Sequence, residues 1–246
     1  MFEPPDFSER AQLDELMDAP CSYEVLRGCL RDIARVNRLT LAYWPTVEFL
    51  ERVVETASSS DRPLRIVDVG CGYGDMLRRV ERWAAKRGIA AALTGVDLNA
   101  DAVRAAGEAT AAASKIERGR IEWVAGDVYS CAAAEEADVV ISSLLTHHLA
   151  ETEIVRFLGW MERTARRGWF VNDLHRQAVP YYVFRAVAAL AGWHEFVRHD
   201  GPVSIRRSFV AEDWRRMCAA AGLDAGAVEI REHRPARLCV GRVKTG

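Results

Sequence analysis

The rhythm of apolar and polar positions changes once along the chain, near residue 64. Before that point apolar residues recur at helical spacing. Leu26, Leu30, Ile33 and Val36 share one face with Asn37, with Arg27, Arg31, Arg35 and Arg38 interspersed. Val47, Leu50, Val53 and Val54 repeat the pattern after Pro45, and the polar run Ser58 to Pro63 ends it. Residues 1–60 therefore read as helical.

From residue 64 short apolar runs alternate with helical stretches. Leu64 to Val69, Ala91 to Val96, Ile121 to Val124, Ala137 to Ser142 and Gly168 to Asn172 read as strands. Met76 to Arg87, Ala100 to Lys115 and Glu151 to Arg166 read as the helices between them. This alternation predicts an α/β fold with a mostly parallel, doubly wound, Rossmann-like sheet. Ala178 to Ala191 reads as an apolar helix, His194 to Arg207 as a polar loop, and Ala211 to Ala221 as a helix before Gly222. Val228 to Arg231 and Leu238 to Val243 read as a closing pair of strands.

The totals narrow the function classes. Half of the 246 residues are hydrophobic and the net charge is −2, which gives no bulk attraction to nucleic acid or to an anionic membrane. No apolar run reaches membrane-spanning length, and the acidic, Pro-bearing start does not read as a signal peptide. The six cysteines form no CxxC and take no metal-ligand spacing with histidine, so reduced thiols, a cytoplasmic setting and no metal are expected.

The first strand runs into Asp68-Val69-Gly70-Cys71-Gly72-Tyr73-Gly74. Alternating glycines remove side chains where a ligand lies against backbone, and the next helix offers free N–H groups. A dinucleotide fingerprint needs Gly-x-Gly-x-x-Gly/Ala, but Asp75 or Leu77 falls in the last slot. Asp75 would set a negative charge beside a pyrophosphate; S-adenosylmethionine (SAM) has none. Strand two ends at Asp97, suited to two ribose hydroxyls, and strand three at Asp127-Val128, suited to an adenine amino group and ring.

With VDVGCGYGD, TGVDLNADAV, AGDV and ADVVISSLLTHHL, the chain resembles the class I SAM-dependent methyltransferases over about residues 64–173. More broadly it is similar to bacterial small-molecule methyltransferases. The resemblance implies a seven-stranded sheet of order 3-2-1-4-5-7-6 with an antiparallel seventh strand. It implies that Asp68, Gly70, Cys71, Gly72 and Gly74 hold the methionine moiety, Asp97 the ribose, and Leu98, Asp127 and Val128 the adenine. Ser142 and Ser143 would line the sulfonium side, and S-adenosylhomocysteine (SAH) would be the product. Residues 1–60 resemble the lid of small-molecule methyltransferases, with Asn37, Arg38, Tyr43 and Trp44 over the cofactor or simply packing the helices. Residues 61–246 would form the SAM-binding domain, with a substrate-pocket insertion at about 174–210.

Methyl transfer is an in-line displacement at a sulfonium, and a hydroxyl acceptor needs a base. Thr146-His147-His148-Leu149 follows strand four; the family pattern favours His148 as the residue that points into the pocket. His199, beside Asp200, is the second candidate base, unless Asp200-Gly201-Pro202 is merely a surface turn. Asn172 to Arg176 adds polar groups after strand five, and Tyr181, Tyr182 and Phe184 offer an apolar wall or simply fill core. No Asn/Asp-Pro-Pro-Tyr/Phe motif follows strand four, which disfavours planar amide nitrogens as acceptors. The expectation is methylation of a small, largely apolar acceptor by a monomer or homodimer, without nucleic-acid or membrane partners. A phenol or quinol oxygen is favoured; carbon methylation of an activated ring or ketone, and a non-catalytic SAM-binding regulator, are the alternatives.

Overall fold

The computed structural model describes residues 5–56, 62–113 and 121–244. Ser58 to Asp61 and the end of the expected helix at Lys115 lie outside them. The strands are β1 Leu64–Val69, β2 Ala91–Asp97, β3 Glu122–Ala125, β4 Val139–Ser143, β5 Gly168–Leu174, β6 Glu229–His233 and β7 Arg237–Val243. They form one sheet of order β3-β2-β1-β4-β5-β7-β6, as expected. Neighbours from β3 to β5 run parallel, and β7 runs antiparallel to both β5 and β6.

The central strands are apolar on both faces because helices cover both. Val67 and Val69 of β1, Val140 of β4 and Trp169 of β5 pack into one core with Phe157, Leu158 and Trp214. Ile66, Ile141 and Phe170, one residue out of phase, pack into the other with Leu50, Leu77 and Val80. The period of two is thus satisfied twice, and the pleat is pinned in register. The helices on the faces include α1 Tyr23–Leu39, α2 Trp44–Thr56, α3 Asp75–Arg87 and α4 Ala100–Ala113. A four-residue helix, α5 Ala132–Glu135, precedes α6 Glu151–Thr164, α7 Ala178–Leu190, α8 Glu195–Arg207 and α9 Ala211–Ala220. Helix α3 stops at Gly88, whose φ of +68° suits a glycine, and Ile89 N–H reaches back to Ala84 O. Among the described residues no helix is long and apolar enough to cross a membrane.

The region before β1 does three different things. Helix α1 lays Leu26 and Leu30 on Ala102 and Ala105 of α4. Helix α2 joins the sheet core, with Phe49 stacked on Phe170 at 4.7 Å. Residues 5–22 are not helical as expected, apart from one 3-10 turn at Leu16–Asp18. They form an extended strap whose backbone is held by distant groups. Asp200 accepts the N–H groups of Leu16 and Met17 at 2.8 and 3.1 Å. Arg10 donates to the carbonyls of His147, Leu149 and Arg207.

The expected loop from His194 to Arg207 is instead helix α8. Asp200-Gly201-Pro202 has turn chemistry, and an interior proline costs a helix ~3 kcal/mol. Tertiary packing overrides this: Val197, Asp200, Ser204 and Ile205 are buried together. Gly201 is needed there because a Cβ would lie 2.1 Å from the Phe184 ring of α7. Helices α7 and α8 occupy the stretch expected as an insertion, and they bring Phe184, Val197 and Ile205 to the cavity described next.

Candidate active site

A cavity of about 580 Å³ opens at the carboxyl ends of β1 to β4. This is where strand order reverses between β1 and β4, the position at which doubly wound sheets bind ligands. One end is built by the turn after β1. Gly70, Gly72 and Gly74 have φ of +70°, +49° and +70°, a region that side chains disfavour. Their steric reasons differ. A Cβ on Gly72 would point into open space and meet only Leu30, at 3.8 Å. A Cβ on Gly74 would lie 2.2 Å from the Trp123 ring. Gly72 thus leaves room for a ligand, whereas Gly74 is not among the lining residues and leaves room for Trp123.

Asp68, Cys71, Asp97, Leu98, Asp127, Val128 and Ser143 all line this end, together with Gly70. Asp97 accepts the N–H of Gly72 and of Asn99, each at 2.9 Å, and so ties the glycine turn to the end of β2. Burial pushes its carboxyl above the usual range against those two bonds. Asp127 Oδ1 accepts Tyr129 N–H at 3.0 Å, which fixes the turn that carries Val128. Leu98 is exposed beside them, an apolar side chain ready for a flat ring.

Two shielded polar atoms here have no partner among the described residues: Asp68 Oδ1 and Ser143 Oγ. Burial, with Asp75 and Asp97 nearby, holds the Asp68 carboxyl well above its ordinary pKa. Unpartnered buried polar groups are costly, so both atoms suit a polar ligand. These residues fit SAM: donors and acceptors for its amino-acid end, a carboxylate for its ribose and apolar sides for its adenine. Ser142 is different, since its Oγ donates to Val69 O and it faces away from the cavity.

Of the four residues expected over the cofactor, Asn37 and Tyr43 line the cavity, and both donate to Asp75 Oδ2, at 3.3 and 2.8 Å. Arg38 and the exposed Trp44 do not line it. Arg237 of β7, which the sequence reading passed over, is buried, lines the cavity and donates to Asn37 Oδ1 at 3.1 Å.

The other end of the cavity is built around the 3-10 turn Thr146–His148. His147 is buried, and its Nδ1 lies 2.7 Å from Asp173 Oδ1. Asp173 also accepts from Thr146 Oγ1 and from the N–H groups of His147 and Leu174. Burial opposes the charged form of His147, but the Asp173 carboxylate outweighs it and raises the pKa. His148 is about a quarter exposed, and its Nδ1 lies 3.2 Å from Asp18 Oδ1. Burial and the neighbouring His147 push it down to about 4.

Both rings turn their Nε2 atoms toward Glu15 of the strap, His147 at 3.8 Å from Oε1 and His148 at 3.8 Å from Oε2. Glu15 is itself buried, and its carboxyl is raised by that burial. Ser204 Oγ lies 2.9 Å from Glu15 Oε1. Arg207 approaches Glu15 at 3.6 Å and Asp18 at 2.7 Å. The ligating atoms of Glu15, His147 and His148 lie within 4.8 Å of one another, a potential metal-holding group. The expectation of no metal-ligand set rested on local spacing, which cannot join residue 15 to residues 147 and 148.

His199 does not line the cavity. Its side chain is half exposed and its Nδ1 lies 2.8 Å from Asp200, the residue that pins the strap. Asn172 donates to Ala42 O and Thr46 Oγ1, and Arg176 to Ser208 O and the carbonyls of Phe7 and Ser8. Those two hold the fold together and do not line the cavity. His175 is buried outside it, 3.9 Å from Glu232.

Residues 66–168 match the family model of the methyltransferase domain. The trans-aconitate 2-methyltransferase of Streptomyces avermitilis is 26% identical over 183 residues, which cover 72% of this chain and 64% of that protein. The match thus spans a little under two thirds of that relative's length. Among solved structures, the plantazolicin methyltransferase BpumL in complex with a pentazolic desmethylPZN analog and SAH superposes with a TM-score of 0.61 at 12% identity, over 91% of this chain and 97% of that one. The magnesium protoporphyrin IX methyltransferase from Synechocystis PCC 6803 with bound SAH gives 0.57 at 16% identity, over 87% and 86%. At such identities the likeness is one of fold.

Proposed function

We propose that this chain, which carries a class I SAM-dependent methyltransferase domain, transfers the SAM methyl group to an oxygen of a small, largely apolar acceptor of the phenol or quinol type. One observation carries the reading: a single cavity runs from the glycine turn to His147 and His148. Donor and acceptor can therefore meet in one space, as an in-line displacement requires. Beyond the histidines the walls are mostly apolar, with Met17, Leu149, Phe184, Val197 and Ile205. A flat, apolar acceptor is held there by area, and its one polar group is directed to the cluster of Glu15, His147 and His148.

A neutral hydroxyl is a weak nucleophile, so the acceptor oxygen must lose its proton as it attacks. The cluster of Glu15, His147 and His148 is the place for that oxygen. His148, the more exposed ring, faces it, while His147 stands behind and is aligned by Asp173. The strap lies over this end and is pinned there through Arg10 and Asp200. His199, outside the lining, has no part in this reading.

The test is SAH release by the purified protein with SAM and a panel of phenols, quinols and carboxylic acids, followed by product mass and the position of the new methyl. Turnover of a phenol or quinol with an O-methyl product supports the proposal. A C-methyl product moves it to ring carbon chemistry. Tight SAM binding with no turnover of any acceptor overturns it in favour of a non-catalytic SAM binder.

A further inference from the structure

We propose that Glu15, His147 and His148 hold a divalent cation of the borderline class, Zn²⁺ being the type, with its open positions on the acceptor end of the cavity. Each imidazole has its Nδ1 against a carboxylate: His147 against Asp173 at 2.7 Å and His148 against Asp18 at 3.2 Å. A carboxylate accepts, so in the neutral ring Nδ1 carries the hydrogen and Nε2 keeps its lone pair. Both lone pairs therefore face Glu15, one toward each oxygen of a single carboxylate.

Lone pairs set against a carboxylate repel unless a proton or a metal cation lies between them. The separations of 3.8 Å are too long for direct hydrogen bonds. They are close to the spacing of two ligands on one ion: zinc–ligand bonds of about 2.1 Å set tetrahedral ligands roughly 3.4 Å apart. The two imidazole–carboxylate separations would close by a few tenths of an ångström, within a group whose ligating atoms all lie within 4.8 Å of one another.

The surroundings have the form of a metal centre's outer shell. Carboxylate–histidine pairs orient ligating imidazoles in just this manner, and Asp173 is itself locked by Thr146 and two backbone N–H groups. Glu15, Asp18 and Asp173 crowd the rings with negative charge, with Arg207 as the cation at ion-pair distance from Glu15 and Asp18. Two imidazoles and a carboxylate, with further positions open toward a cavity, are the ligand set of catalytic rather than structural sites.

The use of the ion rests on the methyl-transfer reading above; its binding does not. The acceptor oxygen would take an open position, and its proton would pass to solvent as the ion lowers its pKa. The oxygen lone pair then forms the O–CH₃ bond, the S–CH₃ bond breaks, and its electron pair stays on sulfur, leaving neutral SAH.

The experiment titrates ZnCl₂ into the chelator-treated full chain by calorimetry and repeats it with Co²⁺ under an absorption spectrometer. One equivalent is expected, with a cobalt spectrum that lacks a thiolate charge-transfer band. Glu15→Gln and His148→Ala should each weaken it by about 100-fold, and Asp173→Asn by about 10–100-fold. Cys21→Ser, which removes an exposed thiol, should change nothing. Circular dichroism and unchanged SAM affinity show that each variant is folded. Absence of a stoichiometric site, a thiolate band, or affinity that survives Glu15→Gln and His148→Ala overturns the proposal. Full turnover by metal-free protein overturns the ion's role and leaves methyl transfer standing. Zinc bound as described without turnover of any acceptor leaves the site standing and removes the phenol reading instead.

Discussion

The two ends of the cavity are made in opposite ways. At the SAM end the groups come from the tips of β1, β2, β3 and β4, and each tip is held by the strand behind it. Asp97 even ties one tip to the next through Gly72 N–H. At the acceptor end the groups come from the strap, the turn after β4, the end of β5 and the middle of α8. No one element builds that end, and its geometry exists only when the strap is pinned. Substitutions should accordingly separate into those that change SAM affinity and those that change acceptor turnover.

The largest effect should come from His148→Ala. We expect kcat to fall about 10²–10⁴-fold while the SAM dissociation constant moves less than about twofold. Steady-state kinetics with one confirmed acceptor, beside calorimetry, checks both halves. A large loss of SAM affinity would erase the distinction between the ends. Gly72→Val should act the other way, weakening SAM by at least roughly 100-fold in a folded protein. The new side chain fills the space next to the turn, and left-handed strain adds ~1–2 kcal/mol. Normal binding by that variant would remove the glycine turn from the site.

Asp97→Ala should weaken SAM by about 5–150-fold, or ~1–3 kcal/mol, through lost charge-assisted bonds. Acceptor KM at saturating SAM should hold, and a rise in it would show that the glycine turn reaches the far end. The smallest effect belongs to Asp200→Asn. Weaker bonds to Leu16 and Met17 should loosen the strap and raise acceptor KM by roughly threefold to tenfold, worth about 1 kcal/mol. Hydrogen exchange at residues 11–18 should quicken in the same variant; unchanged exchange would mean that Arg10 holds the strap alone.

The contrast also explains what could be read from the chain beforehand. Strands β1 to β5 and the cavity lining at their tips were legible because each strand is one contiguous run, whose period and terminal residues point to both fold and chemistry. His147 and His148 were visible as a pair, and the family pattern favoured His148, but their partners were not visible. Asp173 aligns His147, and Glu15 faces both rings; neither relation has a local signature. Helix α8 was hidden for a similar reason. Asp200, Gly201 and Pro202 look like a turn until the Phe184 ring and the strap's N–H groups are known to surround them. His199 gained weight from that same reading, standing beside an aspartate whose work lies with the strap.

Trp123 has a consequence for how this molecule can change over generations. Its indole occupies the space that a side chain would need at Gly74, and again at Gly95, where a Cβ would lie 2.4 Å from the ring. Three positions on three elements are therefore sterically coupled. Gly95→Ala should be damaging in the present background, and a smaller residue at 123 should restore most of it, because Gly95 lies in β2 with no left-handed φ to satisfy and only Cys71 Sγ, at 3.0 Å, must then give way. The same compensation should only partly rescue Gly74→Ala, whose φ of +70° persists after the ring is gone. Drift at these sites has an order: the tryptophan must shrink first, and only one of the two glycines is then free to follow.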